Sequence, residues 1–212
     1  MLNQKITRPR LKQFIAQHAS SDKTLEIGSG DRYYDQFFPH KTSIDIDPRR
    51  QPDLVADAHQ LPFADGEFSV ILCTEVLEHL SNPPQAISGM RRVLKPGGKL
   101  ILSTRFIYPI HDAPGDYYRF TEHGLRYLFR DWQVEILVAE TTDFSTLAVL
   151  LQRLIYQADY RANKLVKGFL FLLLKIFLFS AGLKKQAYGN IGKTEPADHI
   201  LASGYYLLAI KK

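Results

Sequence analysis

With 212 residues, 45% hydrophobic and 23% charged, the chain can bury one sizeable core, and its composition excludes a disordered or low-complexity protein. The formal net charge of +5 is spread along the sequence, which argues against a dedicated basic arm for nucleic acid. Cys73 is the only cysteine, so an intramolecular disulfide and a cysteine-based metal site are excluded, and no metal site is expected.

Leu11, Phe14, Ile15 and His18 recur at helical spacing and predict an amphipathic helix over 9–19. Strands are then predicted at 23–28, 42–46, 53–56, 67–73, 98–104 and 132–139, alternating with helical stretches at 32–38, 75–80, 83–94 and 121–130. A loop covers 105–119, and a last strand is predicted at 204–210. Asn82-Pro83-Pro84 starts a helix, because proline suits the first turn. Pro96-Gly97-Gly98 stops it, with glycine as the C-terminal cap. The alternation implies an α/β fold with a doubly wound, mostly parallel sheet. One domain over 1–212 is expected, with a core at about 20–140 and a hydrophobic helical insertion at about 143–185 before the last strand.

The most telling stretch is Thr24-Leu25-Glu26-Ile27-Gly28-Ser29-Gly30-Asp31, an apolar strand that carries an acid and breaks into a glycine turn. Glycine lets a backbone approach a ligand closely. Ser43-Ile44-Asp45-Ile46-Asp47 is a second strand ending in an acid, where a nucleotide-binding unit places its ribose carboxylate. Asp57-Ala58, Leu61-Pro62-Phe63, Phe68 to Cys73 and Leu94-Lys95-Pro96-Gly97-Gly98-Lys99-Leu100 follow in order. This set resembles the class I S-adenosylmethionine-dependent methyltransferases, specifically over about 25–104 and more loosely to Trp132.

The resemblance implies a seven-stranded Rossmann-like sheet and S-adenosyl-L-methionine as cofactor. It implies that Gly28, Ser29 and Gly30 pass close to the amino-acid moiety while Glu26 orients their loop. Asp45 would hold the ribose diol, with Asp47 as a rival that caps the turn to Pro48. Asp57 and Ala58 would meet the adenine, Ile46 and Leu61 would sandwich it, and Thr74 and Glu75 would complete the cofactor site. Two positions depart from the family pattern: Arg32 stands where a third glycine is common, and Phe68-Ser69 replaces Phe-Asp. A nicotinamide cofactor is disfavoured, since Tyr33 occupies the third glycine position of G-x-G-x-x-G.

Methyl transfer from a sulfonium needs mainly proximity and orientation, and a base only for a weakly acidic acceptor. Glu75 and His79 are four apart and read as sharing a helix face, with His79 as a candidate base. The stretch Tyr108 to Thr121 resembles a His…Asp-Tyr-x-Arg-x-Thr segment of small-molecule methyltransferases. There His111 would serve as a second base, and His111, Asp116, Tyr117 and Arg119 would meet the substrate. The alternative is that Asp116 and Arg119 pair with each other; in either case Thr121 caps the next helix.

Residues 165–183 approach membrane-spanning length, but Lys175 lies near the centre and the last strand must rejoin the same sheet. Lys164, Lys167 and Lys175 fall within an arc of roughly 80° at about 100° per residue. Peripheral membrane contact, a roof over a hydrophobic acceptor pocket and a homodimer seam are all open readings. A cytoplasmic protein is expected, free or peripheral at the inner face of the membrane, because Met1 to Ser20 holds no leader-like apolar run. The expected activity is methyl transfer to a small-molecule or lipid-linked acceptor. The rival is a catalytically silent protein of the same fold serving as an interaction module. Nucleic acid is not an expected partner, as no Asn/Asp-Pro-Pro-Tyr tetrapeptide follows strand four.

Overall fold

The computed structural model describes residues 5–29, 34–197 and 200–212. Its central sheet begins with β1 (Thr24–Ile27), β2 (Lys41–Asp45), β3 (Leu54–Val55), β4 (Phe68–Thr74), β5 (Leu94–Arg105) and β6 (Gln133–Ala139). A small hairpin, β7 (Ala187–Tyr188) and β8 (Pro196–Ala197), then precedes β9 (Gly204–Ile210). The seven-stranded sheet has the order β3-β2-β1-β4-β5-β9-β6 and is parallel except for β9, which runs against both its neighbours.

Strands buried on both faces need near-continuous apolar sequence. β4 supplies Phe68, Val70, Ile71, Leu72 and Cys73, and β5 supplies Leu100, Ile101 and Leu102, all buried. On one face α1 (Arg8–Gln17) sets Leu11, Phe14 and Ile15 against Val70, Leu72, Ile101 and Leu208. On the other, α2 (Pro83–Val93) and α3 (Glu122–Leu128) bring Ala86, Met90, Val93 and Leu125 onto Ile27, Ile71 and Leu102. Asn82 caps α2 by accepting from the Gln85 N–H at 3.3 Å, and Thr121 caps α3 by accepting from the Gly124 N–H at 3.0 Å. The insertion is a helix pair, α4 (Asp143–Gln157) and α5 (Asn163–Ser180), joined through Ala148, Ile155 and Leu174.

Three expectations are corrected. Within 32–38 the described residues form a single 3₁₀ turn, Asp35–Phe37. Residues 75–80 also give only one 3₁₀ turn, Leu77–His79, because Glu75 sits at φ +55 and cannot begin a helix. The glycine of Pro96-Gly97-Gly98 does not cap α2: that helix ends at Val93, and Leu94 already pairs with Phe68 as strand. Gly97, at φ +74, instead supplies a turn after which β5 resumes pairing at Lys99. The hairpin of β7 and β8 was not foreseen; its strands are two residues each, too short for a periodic signal.

No helix among the described residues is long and apolar enough to cross a membrane. Gly204 begins β9, and a Cβ there would overlap the Thr104 carbonyl oxygen, whereas a Cβ on Gly168 in α5 would meet nothing within 4 Å. Gly204→Ala is therefore expected to lower unfolding free energy by about 1–3 kcal/mol. Gly168→Ala should raise it by up to about 1 kcal/mol. Denaturant titration of the two variants beside the parent checks both signs.

Candidate active site

The candidate site residues gather at the carboxyl ends of β1, β2, β4 and β5, the edge where open parallel sheets bind ligands. Register decides the arrangement. Ile27 pairs with Ile44, so Gly28 emerges beside Asp45, and the Gly28 and Ser29 N–H groups both donate to the Ile44 carbonyl, at 2.9 and 3.1 Å. Gly28 has φ +80 and packs under Val76, leaving no room for a Cβ. Asp45 uses Oδ1 to accept from the Asp47 N–H at 2.8 Å. Asp47 caps the turn at Pro48 and is paired with Arg49, which holds its carboxyl down at about 2.

Ile46 stands beside Asp45 with 70% of its surface exposed, a platform on which a flat ring can lie. Leu61 is buried in the core and cannot form the opposing face, which corrects the expected sandwich. Asp57 caps its own turn, with Oδ1 accepting from the His59 N–H at 2.9 Å and lying 2.6 Å from His59 Nδ1; Ala58 is buried beneath it. Glu26 is buried and bound to the Lys41 ammonium at 2.6 Å. With Ser29, Lys41 and Ser43 it lines a polar cavity of about 180 Å³. Gly30 and Arg32 lie outside the described residues.

At the end of β5 the Arg105 side chain is fully buried among three acids. It donates to Glu140 Oε2 at 2.6 Å, pairs with Glu75, places Nε 4.0 Å from Glu78, and stacks on the Tyr108 ring at 4.3 Å. Burial opposes the Arg105 charge, but Glu140 and Glu75 raise its pKa above the ordinary arginine value. Burial also opposes ionisation of Glu75, yet Arg105, Arg8 and Lys5 outweigh it and hold that carboxyl below its usual range. For Glu140 and Glu78 burial prevails and raises the pKa. Glu140 is also held by Ser203 Oγ at 2.6 Å and Tyr206 Oη at 3.3 Å.

The loop leaving β5 folds back onto the 3₁₀ turn after β4. The Tyr117 and Tyr118 N–H groups donate to the Glu78 carbonyl at 2.9 and 3.1 Å, and His79 Nδ1 donates to the Gly115 carbonyl at 2.7 Å. The structure brings His79 and His111 together, with ring centroids 4.7 Å apart. Asp116 is bound at both oxygens by Arg119, at 2.6 and 2.7 Å, and accepts from the His111 N–H at 2.9 Å. Arg119 also donates to the carbonyls of Tyr108, Pro109 and Tyr118. These two residues therefore brace the loop and are not free to meet a substrate, a correction to that expectation. Tyr117 is exposed.

Glu75 is corrected too. Its carboxylate is committed to Arg105, and its N–H to Ser103, so it neither shares a helix face with His79 nor offers its side chain to a cofactor. Thr74 ends β4, half-buried. The sequence reading missed Arg105, Glu140 and the role of Glu78. The available signal was a charged residue closing each of two apolar strands, Leu100 to Thr104 and Ile136 to Ala139. A separate cavity of about 680 Å³ lies between the start of α4 and 186–193, lined by Phe144, Leu147, Tyr188, Ile191 and Leu201. It has the size of a small-molecule pocket.

Comparison with known proteins gives a consistent result. The family model described as a methyltransferase domain matches residues 25–102. An uncharacterized Methanocaldococcus jannaschii protein is 34% identical over 96 residues, 42% of this chain and 47% of that one. A ubiquinone biosynthesis O-methyltransferase of Pseudomonas paraeruginosa is 30% identical over 94 residues, 44% of this chain and 39% of that one. The chain thus spans less than half the length of these curated relatives. A solved Bacillus halodurans structure described as a candidate methyltransferase shares the fold, with a TM-score of 0.57 at 19% identity over 95% of this chain and 98% of that one.

Removing the Arg105 charge leaves three acids buried around an uncompensated hole. Arg105→Met is expected to cost about 3–5 kcal/mol of stability at neutral pH. Glu78 and Glu140 have raised pKa values in the folded state, so the native form binds protons more readily than the unfolded one, and the deficit should shrink as pH falls from 8 to 5. Urea titrations at both pH values check the magnitude and the sign.

Proposed function

We propose, with residues 25–102 as a class I methyltransferase domain, that the chain transfers a methyl group from S-adenosyl-L-methionine to a small acceptor with an apolar body. The observation that carries this reading is the register of β1 and β2, which sets the positive-φ Gly28 turn beside the Asp45 carboxylate. A backbone that a ligand can approach and a carboxylate for a vicinal diol are what an adenosyl group with an amino-acid tail requires. The bound cofactor supplies a methyl carbon already activated by a sulfonium.

The protein's own residues do the rest. Asp45 accepts the two ribose hydroxyls, Ile46 carries one face of the adenine, and Asp57 with the Ala58 N–H reads its edge. Gly28 and Ser29 border the amino-acid tail, and Glu26, held by Lys41, supports that turn from below. His79 and His111 stand where the β4 turn meets the loop from β5, on the acceptor side. Burial, with His79 beside it, lowers the His111 pKa, so its ring stays neutral near pH 7 and can take a proton from an acceptor hydroxyl.

An apolar acceptor is supported by α5. Leu165, Phe169, Leu172, Ile176 and Phe179 are all exposed, Phe179 at 89%, and fall within about 80° of the helix circumference. The opposite side of α5 is packed on α4 through Leu174. Lys164 and Lys175 flank the ridge, the arrangement of a helix lying in a membrane interface with its ammonium groups toward headgroups. The reading therefore includes peripheral contact through 165–183 and a lipid-linked acceptor. The name of the Pseudomonas relative, an O-methyltransferase of ubiquinone biosynthesis, agrees with it.

Calorimetric titration tests the cofactor site. S-adenosylmethionine and S-adenosylhomocysteine are expected to bind the parent, and Asp45→Ala to weaken both at least tenfold, about 1.4 kcal/mol. A folded parent that binds neither overturns the reading. For α5, the parent should float with anionic vesicles and the Leu172→Glu, Phe179→Glu double variant should not. A parent indifferent to vesicles but dimeric in solution would assign the ridge to a second copy instead.

A further inference from the structure

One cluster is not accounted for by methyl transfer from an activated donor. A carboxylate oxygen of Glu78 and ring nitrogens of His79 and His111 all lie within 4.8 Å of one another. Glu78 is fully buried; Oε2 accepts from Thr104 Oγ1 at 2.8 Å, and Oε1 has no hydrogen-bond partner among the described residues. Its nearest cation is Arg105, with Nε 4.0 Å away, and that guanidinium already serves Glu75 and Glu140. Buried carboxylates are costly unless they are paired, protonated or bound to a metal.

Both histidines are preset for ligation. Nδ1 of His79 faces the Gly115 carbonyl at 2.7 Å, and Nδ1 of His111 faces the Pro109 carbonyl at 3.3 Å. A carbonyl oxygen only accepts, so each Nδ1 carries a proton, and Nε2 is the nitrogen left to ligate in the neutral ring. A backbone carbonyl on the far nitrogen is the arrangement that orients metal-binding imidazoles. Asp116, 3.5 Å from His111 Nδ1, reinforces it and is itself fixed by Arg119.

We propose that Glu78, His79 and His111 form a divalent-cation site that takes zinc, manganese or ferrous iron. One carboxylate with two imidazoles is a donor set these ions accept while keeping positions open for a ligand. Magnesium and calcium, which favour a shell of oxygens, fit it poorly. Ligand atoms around a tetrahedral zinc stand about 3.4 Å apart, so modest side-chain rotations close the present 4.8 Å spread. The cluster lies between the 3₁₀ turn after β4 and the loop leaving β5, so its open positions face the acceptor side. The consequence for catalysis rests on the methyl-transfer reading; the site itself does not. With the cation bound, the His111 lone pair is spent on it and the cation replaces imidazole as the activator: an acceptor hydroxyl held on the cation releases its proton to water more readily, and its oxygen takes the methyl carbon as the carbon–sulfur bond breaks to leave a thioether.

The test is calorimetric titration of the chelator-treated full chain with Zn²⁺ and, separately, Mn²⁺. One equivalent should bind the parent, and Glu78→Gln and His111→Ala should each weaken it at least tenfold. His123→Ala, on the exposed surface of α3, should leave it unchanged. S-adenosylhomocysteine titrations on the same samples report whether each variant is folded. Cobalt bound in place of zinc should show a visible absorption that His111→Ala abolishes. A parent that binds S-adenosylhomocysteine but no cation overturns the site, as does cation binding that survives both substitutions. Cation binding without S-adenosylhomocysteine binding overturns the methyl-transfer reading and leaves the site standing.

Discussion

The buried Arg105 guanidinium ties together the parts of this protein that chain connectivity does not. It closes β5, pairs with Glu75 at the end of β4 and Glu140 at the end of β6, and approaches Glu78 in the following turn. Glu140 reaches β9 through Tyr206 and Ser203 beside it, and its carbonyl accepts from Arg10 of α1 at 3.0 Å. A charge removed from water is tolerable only when it is paired, so the guanidinium, bound to Glu75 and Glu140, fixes the relative positions of the ends of β4, β5 and β6. The site is assembled on those ends.

Two halves of the edge are stabilised differently. Around β1 and β2 the shape is set by backbone: a positive-φ glycine, a strand register and short capped turns. Around β4 and β5 it is set by side chains, with the loop from β5 pinned to the Glu78 carbonyl and braced by Asp116 and Arg119. The backbone half suits a ligand with constant features. The side-chain half lies largely in the loop leaving β5, and loops held on a rigid scaffold are where specificity is usually carried.

Much of this was legible in the sequence, for identifiable reasons. Apolar runs long enough to be buried on both faces gave β4 and β5, and β9 was placed at 204–210 as it stands. Caps at Asn82 and Thr121 were readable because a cap is a local hydrogen bond. Asp47 was likewise readable as a turn cap. The stretch after β4 was misread as a helix: spacing showed Glu75 and His79 four apart, but not the left-handed backbone at Glu75. Asp116 and Arg119 illustrate a different limit, since the same two residues read equally well as substrate ligands or as partners of each other.

The sequence by itself determined the alternation of strands and helices, the doubly wound sheet, the ordered glycine and acid positions and the long apolar stretch of α5. Each is a statement about neighbours in the chain, where periodicity, capping and backbone freedom act. Only the tertiary structure decided that Arg105 faces Glu75, Glu78 and Glu140, that His79 meets His111, and that the apolar ridge of α5 points outward while its other side packs on α4. Residues 27 to 35 positions apart met there because parallel strands, linked by crossovers, deliver their ends to one edge, and sequence spacing carries no record of which charge will be desolvated beside which.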